Sequence, residues 1–76
     1  MSTNELISST GAELLAVVRK KEPEMYIPLL LESEFTDSPR GARMTWTATF
    51  GRYTVSGPTL EEALDALRAA VVAGNA

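Results

Sequence analysis

Between Arg43 and Phe50 the chain alternates without a break: Met44, Trp46, Ala48 and Phe50 interleave with Arg43, Thr45, Thr47 and Thr49. A period of two, rich in β-branched and aromatic side chains, predicts a strand with one buried face. Gly51-Arg52 follows, and glycine in the first central position suits a two-residue hairpin turn. In that register Phe50 opposes Tyr53 and Ala48 opposes Val55, so both pairs fall on the apolar face. Ser56-Gly57-Pro58 closes this third strand. Thr59-Leu60-Glu61-Glu62 then has the form of a capping box, in which the threonine hydroxyl and a glutamate satisfy free amides at a helix start. Leu60, Ala63, Leu64, Leu67, Ala70 and Val71 recur at helical spacing, which predicts a second helix over about residues 60 to 73. Glu61 and Glu62 suit its positive end, and Gly74 suits its stop.

Upstream the pattern is looser. Thr10-Gly11-Ala12-Glu13 also has the form of a capping box, with Leu14, Leu15, Val17 and Val18 after it. Arg19, Lys20 and Lys21 complement a helix C-terminus, and Pro23 stops the run. A first helix is therefore expected over about residues 11 to 21, with residues 1–9 either flexible or a short helical lead-in. Met25 to Phe35 reads as a strand with Ile27, Leu29, Leu31, Ser33 and Phe35 on one face and Tyr26, Pro28, Leu30 and Glu32 on the other. Pro28 cannot donate to a ladder, so the strand belongs at a sheet edge. Thr36-Asp37-Ser38-Pro39-Arg40-Gly41 is a dense turn signal.

The expected fold class is α+β: a helix, a three-stranded antiparallel sheet and a second helix. Both helices bury their apolar sides on the Trp46 face, and the other face is left open. The 76 residues make one domain, 1–76, near the lower size limit for independent folding, so a homodimer would add needed burial. Hydrophobic residues at 45% are enough for a folded core. The chain has no cysteine and no histidine. That removes disulfides, thiolate metal sites and the commonest general base and metal ligand. No apolar stretch is long enough to span a bilayer, and the start Met-Ser-Thr-Asn-Glu does not read as a secretory signal. A cytoplasmic, intracellular protein is expected. The net charge of −3 argues against bulk attraction to nucleic acid without excluding a local basic patch.

From Tyr26 to Val72 the pattern resembles HicB-type antitoxin domains. The residues that carry the resemblance are the tyrosine at the first strand, Thr45-Trp46-Thr47-Ala48-Thr49-Phe50, and Val55-Ser56-Gly57-Pro58-Thr59-Leu60-Glu61-Glu62-Ala63-Leu64. The resemblance implies the three strands and second helix, and a role in neutralising a toxin protein. That family has a longer, proline-containing loop between its second and third strands where this chain has Gly51-Arg52. It often carries a DNA-binding segment after the helix, whereas this sequence stops at Ala76, so operator binding is not expected. The whole topology is similar to the double-stranded RNA-binding domain. That family grips phosphates with lysines at the start of its second helix, where this chain places Glu61 and Glu62, so RNA binding does not carry over.

Catalytic pairings are hard to assemble. Without histidine, the many hydroxyls lack a base, and the lysines are confined to Lys20 and Lys21. Glu61 and Glu62 are neighbours on a helix and point apart. Glu32, Glu34 and Asp37 are candidate cation ligands, set against the plainer reading of a solvated strand. The glycines are scattered and form no phosphate loop. No cofactor or metal is expected, and no enzyme. Arg40, Arg43 and Arg52 fall in a stretch free of acidic residues, beside Thr45, Thr47, Thr49 and Thr54. An arginine and threonine face suits an acidic protein surface or a phosphate backbone; the plainer reading is threonine chosen for β propensity. Trp46 shares the phase of Met44 and Phe50 and is expected in the core rather than as a base-stacking platform.

The leading expectation is a small non-catalytic protein-binding module, of the kind antitoxins, inhibitors and phage accessory proteins use. It would act through its open sheet face or an edge strand, with Tyr26, Leu30, Arg43, Thr45, Thr47, Arg52 and Thr54 at the interface. Two alternatives are a nucleic-acid-binding domain built on Arg40, Arg43 and Arg52, and a structural homodimer.

Overall fold

The structure is a computed structural model that describes residues 2–75. The order of elements is α1 (Thr3–Arg19), β1 (Leu29–Ser38), β2 (Gly41–Phe50), β3 (Tyr53–Gly57) and α2 (Leu60–Gly74). The three strands form one antiparallel sheet in the order β1-β2-β3, so β2 is central and both outer edges are open. This is the expected α+β arrangement.

The β2–β3 hairpin forms in the expected register, with Phe50 opposite Tyr53 and Ala48 opposite Val55. Gly51 supplies the positive φ of 61° that the first turn position needs. The same alternation continues into β1, where Leu29 opposes Phe50 and Leu31 opposes Ala48. Leu29, Leu31, Ala48, Phe50, Tyr53 and Val55 therefore share one face. Onto it pack Leu14 from α1 and Ala63, Leu67 and Val71 from α2. Leu14, Ala48, Ala63 and Leu67 are wholly shielded from water. Both helices thus lie on the Trp46 side of the sheet, and among the described residues no layer covers the opposite face.

α2 starts as the capping-box pattern requires. The Thr59 hydroxyl accepts the Glu62 amide at 3.1 Å. α1 starts eight residues earlier than its own box suggests, because Ser2-Thr3-Asn4-Glu5 offers a cap first: the Ser2 hydroxyl accepts the Glu5 amide. The first nine residues, expected to be flexible or a lead-in, are helical from Thr3. Thr10 and Glu13 then fall in mid-helix on one face, where they meet a different partner. Arg68 of α2 donates to the Glu13 and Asp65 carboxylates and, at 3.5 Å, to the buried Thr10 hydroxyl. Residues read as a helix start are instead a clamp between the two helices. The ion pairs are part-exposed, so the clamp sets the helices' relative position more than it adds stability. α1 ends at Arg19 rather than at Lys21, ahead of Pro23, which disfavours helical geometry in the residue before it. The Arg19 guanidinium turns back to donate to the Met25 carbonyl and pins the connector.

β1 begins after Pro28, not at Met25, since proline has no amide for the ladder. β1 is the edge strand expected, although Pro28 lies just ahead of it and not within its ladder. It runs three residues past Phe35, because the turn signal condenses into Pro39-Arg40 alone. The Ser38 hydroxyl closes that turn by accepting the Arg40 amide and donating to the Gly41 carbonyl, and Gly41 takes φ 122°. The consequence is a long hairpin. β3 pairs with β2 only as far as Trp46 opposite Gly57, while β1 and β2 stay paired out to Ser38 opposite Gly41. Past Ser33 and Trp46 the sheet is a two-stranded arm, and the molecule measures 49 × 25 × 16 Å.

Truncating the core and removing a cap should separate cleanly. Leu67→Ala is expected to lower unfolding free energy by about 2–5 kcal/mol and Thr59→Ala by about 1 kcal/mol, read by urea denaturation followed by circular dichroism.

Candidate binding surface

The uncovered face presents three columns. β1 contributes Leu30, Glu32, Glu34 and Thr36; β2 contributes Thr49, Thr47, Thr45 and Arg43 opposite them in that order; β3 adds Thr54 opposite Thr49 and Ser56 opposite Thr47. Strand pairing thereby changes the charge of the site. The stretch from Ser38 to Leu60 has no acidic residue, yet Glu32 and Glu34 stand directly across from Thr47 and Thr45, about 5 Å away. The threonine column is half-buried between its neighbours at Thr45, Thr47 and Thr49, and the Thr49 and Thr54 hydroxyls approach to 3.5 Å.

Of the expected interface residues, Leu30, Arg43, Thr45, Thr47 and Thr54 share this face. Arg52 does not join them. It sits in the β2–β3 turn, at the opposite end of β2 from Arg40 and Arg43, roughly 25 Å along the strand from Arg43 and farther from Arg40. Its guanidinium lies 5.2 Å from the centre of the Tyr53 ring and donates to the Tyr53 hydroxyl at 3.1 Å. That hydrogen bond raises its pKa further above the ordinary arginine value. Tyr53 belongs to the helix-covered side, so Arg52 is turned from the threonine column. The three arginines therefore form no single patch. Tyr26 lies outside β1, in the connector after α1, and is 76% exposed.

Glu32 and Glu34 share the open face, whereas Asp37 has the phase of Phe35 on the helix side; the three do not converge as cation ligands. Among the described residues no group of three acidic, histidine or cysteine side chains is placed to hold a metal ion. At the other end of the sheet a cleft of about 310 Å³ opens between the end of α1 and the β2–β3 turn. Phe50 and Ile27 line it, with Lys21, Arg52 and Asn75.

The arm is the feature that reading along the sequence did not anticipate. Phe35 and Met44 face each other across β1 and β2 on the side expected to be core, yet they are 64% and 42% exposed. Trp46, also expected in the core, is only half-buried where the arm meets the body. The helices stop short. A signal was present in the lengths: a ten-residue strand spans about 33 Å, while the 15-residue α2 covers about 22 Å.

No family model, no curated protein and no solved structure matches the chain. Among the described residues, no helix is long and apolar enough to cross a membrane.

The arm should be peripheral to stability. Phe35→Ser with Met44→Ser is expected to shift unfolding free energy by less than about 1 kcal/mol. Hydrogen exchange should show arm amides opening well below the global unfolding energy, with those of Ala48 and Phe50 near it. Equal protection along β2 would contradict this.

Proposed function

We propose that this protein is a non-catalytic protein-binding module that works through its uncovered sheet face and the adjoining edge strand. The observation that carries the reading is the arm. An isolated two-stranded ribbon is marginal in water, and this one holds Phe35 and Met44 in solvent beyond the helix layer. A partner strand laid along the β1 edge would present side chains to both sides, meeting Phe35 and Met44 on the helix side and the threonine column on the uncovered one. Leu30, 57% exposed at the other end of the same strand, adds an apolar side chain on the uncovered face itself.

The likeness to HicB-type antitoxins fits a module whose target is another protein, and on this reading the chain acts as an antitoxin-like or phage-type inhibitor. The nucleic-acid alternative is weaker. Arg52 is held against Tyr53, and β1, which pairs with the strand that carries Arg43 and leads into the turn that holds Arg40, bears Glu32, Glu34 and Asp37, which oppose a phosphate backbone. A homodimer using the exposed Phe35 and Met44 is the second reading, favoured by those side chains alone.

Bulky cations in the middle of the face test the proposal. The double change Thr45→Lys and Thr47→Lys, beside Glu32 and Glu34, is expected to weaken capture of a partner from native lysate at least about tenfold, while the circular dichroism spectrum and melting temperature stay close to wild type. Capture that survives in a folded variant would place the interface elsewhere.

A further inference from the structure

The outer edge of β1 is a long, regular and almost unguarded row of backbone donors and acceptors. Within Leu29–Ser38 there is no proline, glycine or lysine, and the register with β2 runs one-to-one from Leu29 opposite Phe50 to Ser38 opposite Gly41, with no bulge. Natural edge strands are usually blunted by one of those devices, because an open edge recruits another strand. The β3 edge is half as long, five residues against ten. Helix α1 gives β1 little cover: β1 residues from Glu32 to Ser38 are all exposed.

The charges on this edge decide what it can take. Its ionisable side chains are all carboxylates, Glu32 and Glu34 toward the open face and Asp37 toward the helix side. A second copy is a poor occupant. In the two near-full-length antiparallel registers that keep both helix layers on one side of a joined sheet, Glu34 falls opposite Glu32 or opposite its own counterpart. Like charges directly opposed across a pair of strands are destabilising. A shift by one residue would exchange the two faces.

We infer that β1 takes up an extended, basic segment of a partner protein as a fourth strand. This deepens the binding-module reading and rests on it. Main-chain hydrogen bonds along the edge would hold the segment, and its alternate side chains would set the choice of partner. Read antiparallel, the incoming strand needs a basic residue opposite Asp37, an apolar one opposite Phe35, and basic residues opposite Glu34 and Glu32. Its own order is therefore basic, any, apolar, basic, any, basic. The apolar residue covers Phe35, and the two basic residues on the open side face the carboxylate column beside Thr45 and Thr47.

The test is a titration of the isotope-labelled protein with a short strand-forming peptide of that pattern, lysine at the basic positions and valine at the apolar one. A matched peptide with glutamate for lysine is the control. The lysine peptide is expected to shift and protect alternate β1 amides, and to weaken with salt. The glutamate peptide should not bind wild type. In the Glu32→Lys/Glu34→Lys variant the preference should invert, each peptide's affinity moving roughly tenfold. Both positions are exposed, and circular dichroism is the check that the variant folds.

Three results would overturn the assignment: no binding of the lysine peptide, binding indifferent to the charge swap, or shifts confined to Thr45, Thr47 and Thr54. A dimer of the unliganded protein broken by changes at Glu32 and Glu34 would put a second copy on the edge and also overturn it. If the peptide fails while the partner whose capture depends on Thr45 and Thr47 is still captured, the edge assignment falls and the module reading stands. If both fail, both fall.

Discussion

Everything in this molecule depends on one small contact: Leu14 of α1 and Leu67 and Val71 of α2 pressed onto Ala48 and Phe50 of β2. These side chains are fully shielded, and few others are. A chain of this length has little more apolar surface to bury. The core is centred on the half of β2 that pairs with β3, because α2 follows β3 directly and returns over it. The helices can cover only what lies within their length of that centre. The rest of the β1–β2 hairpin is left without a layer on either side.

That constraint explains why the same alternation means different things along one strand. Ala48 and Phe50 have the phase of Met44, and all point to the helix side. The first two are buried and Met44 is 42% exposed. Periodicity reports which side a residue takes, and the position of α2 decides whether that side is covered. The hairpin register, the Thr59 cap and the face of α2 could be read in the sequence because each is set within a few residues. Phe35, Met44 and the half-exposed Trp46 could not, since their fate depends on the end of a distant helix.

The errors upstream have a related origin. Two segments, Ser2 to Glu5 and Thr10 to Glu13, carry the same capping pattern. Which one begins the helix is decided by whether the residues between them gain from being helical. Between them Leu6 and Ile7 are half-buried in the helix, and Thr10 and Glu13, now in mid-helix, turn to Arg68. The arginine grouping failed in the same way. Arg40, Arg43 and Arg52 are near in sequence, but a ten-residue strand separates the two turns that hold Arg40 and Arg52. Conversely, Glu32 and Glu34 are distant from Thr45 and Thr47 in sequence and adjacent in space.

The arm also bears on which strands its open edge can admit. Edge strands commonly rely on lysine, proline or a bulge, and β1 uses none of these within its span. Its carboxylates do the same work with a different selectivity. They stand at alternate positions on the open face, so a registered second β1 brings acid onto acid, and a slipped one either shortens the contact or turns the faces over. Repulsion of this kind acts against strands of the same sign and favours strands of the opposite sign, while leaving the backbone edge intact. A proline or bulge would have closed the edge to every partner. The carboxylates oppose some strands and leave the backbone edge open to others, which is the selectivity the proposed uptake of a basic strand needs.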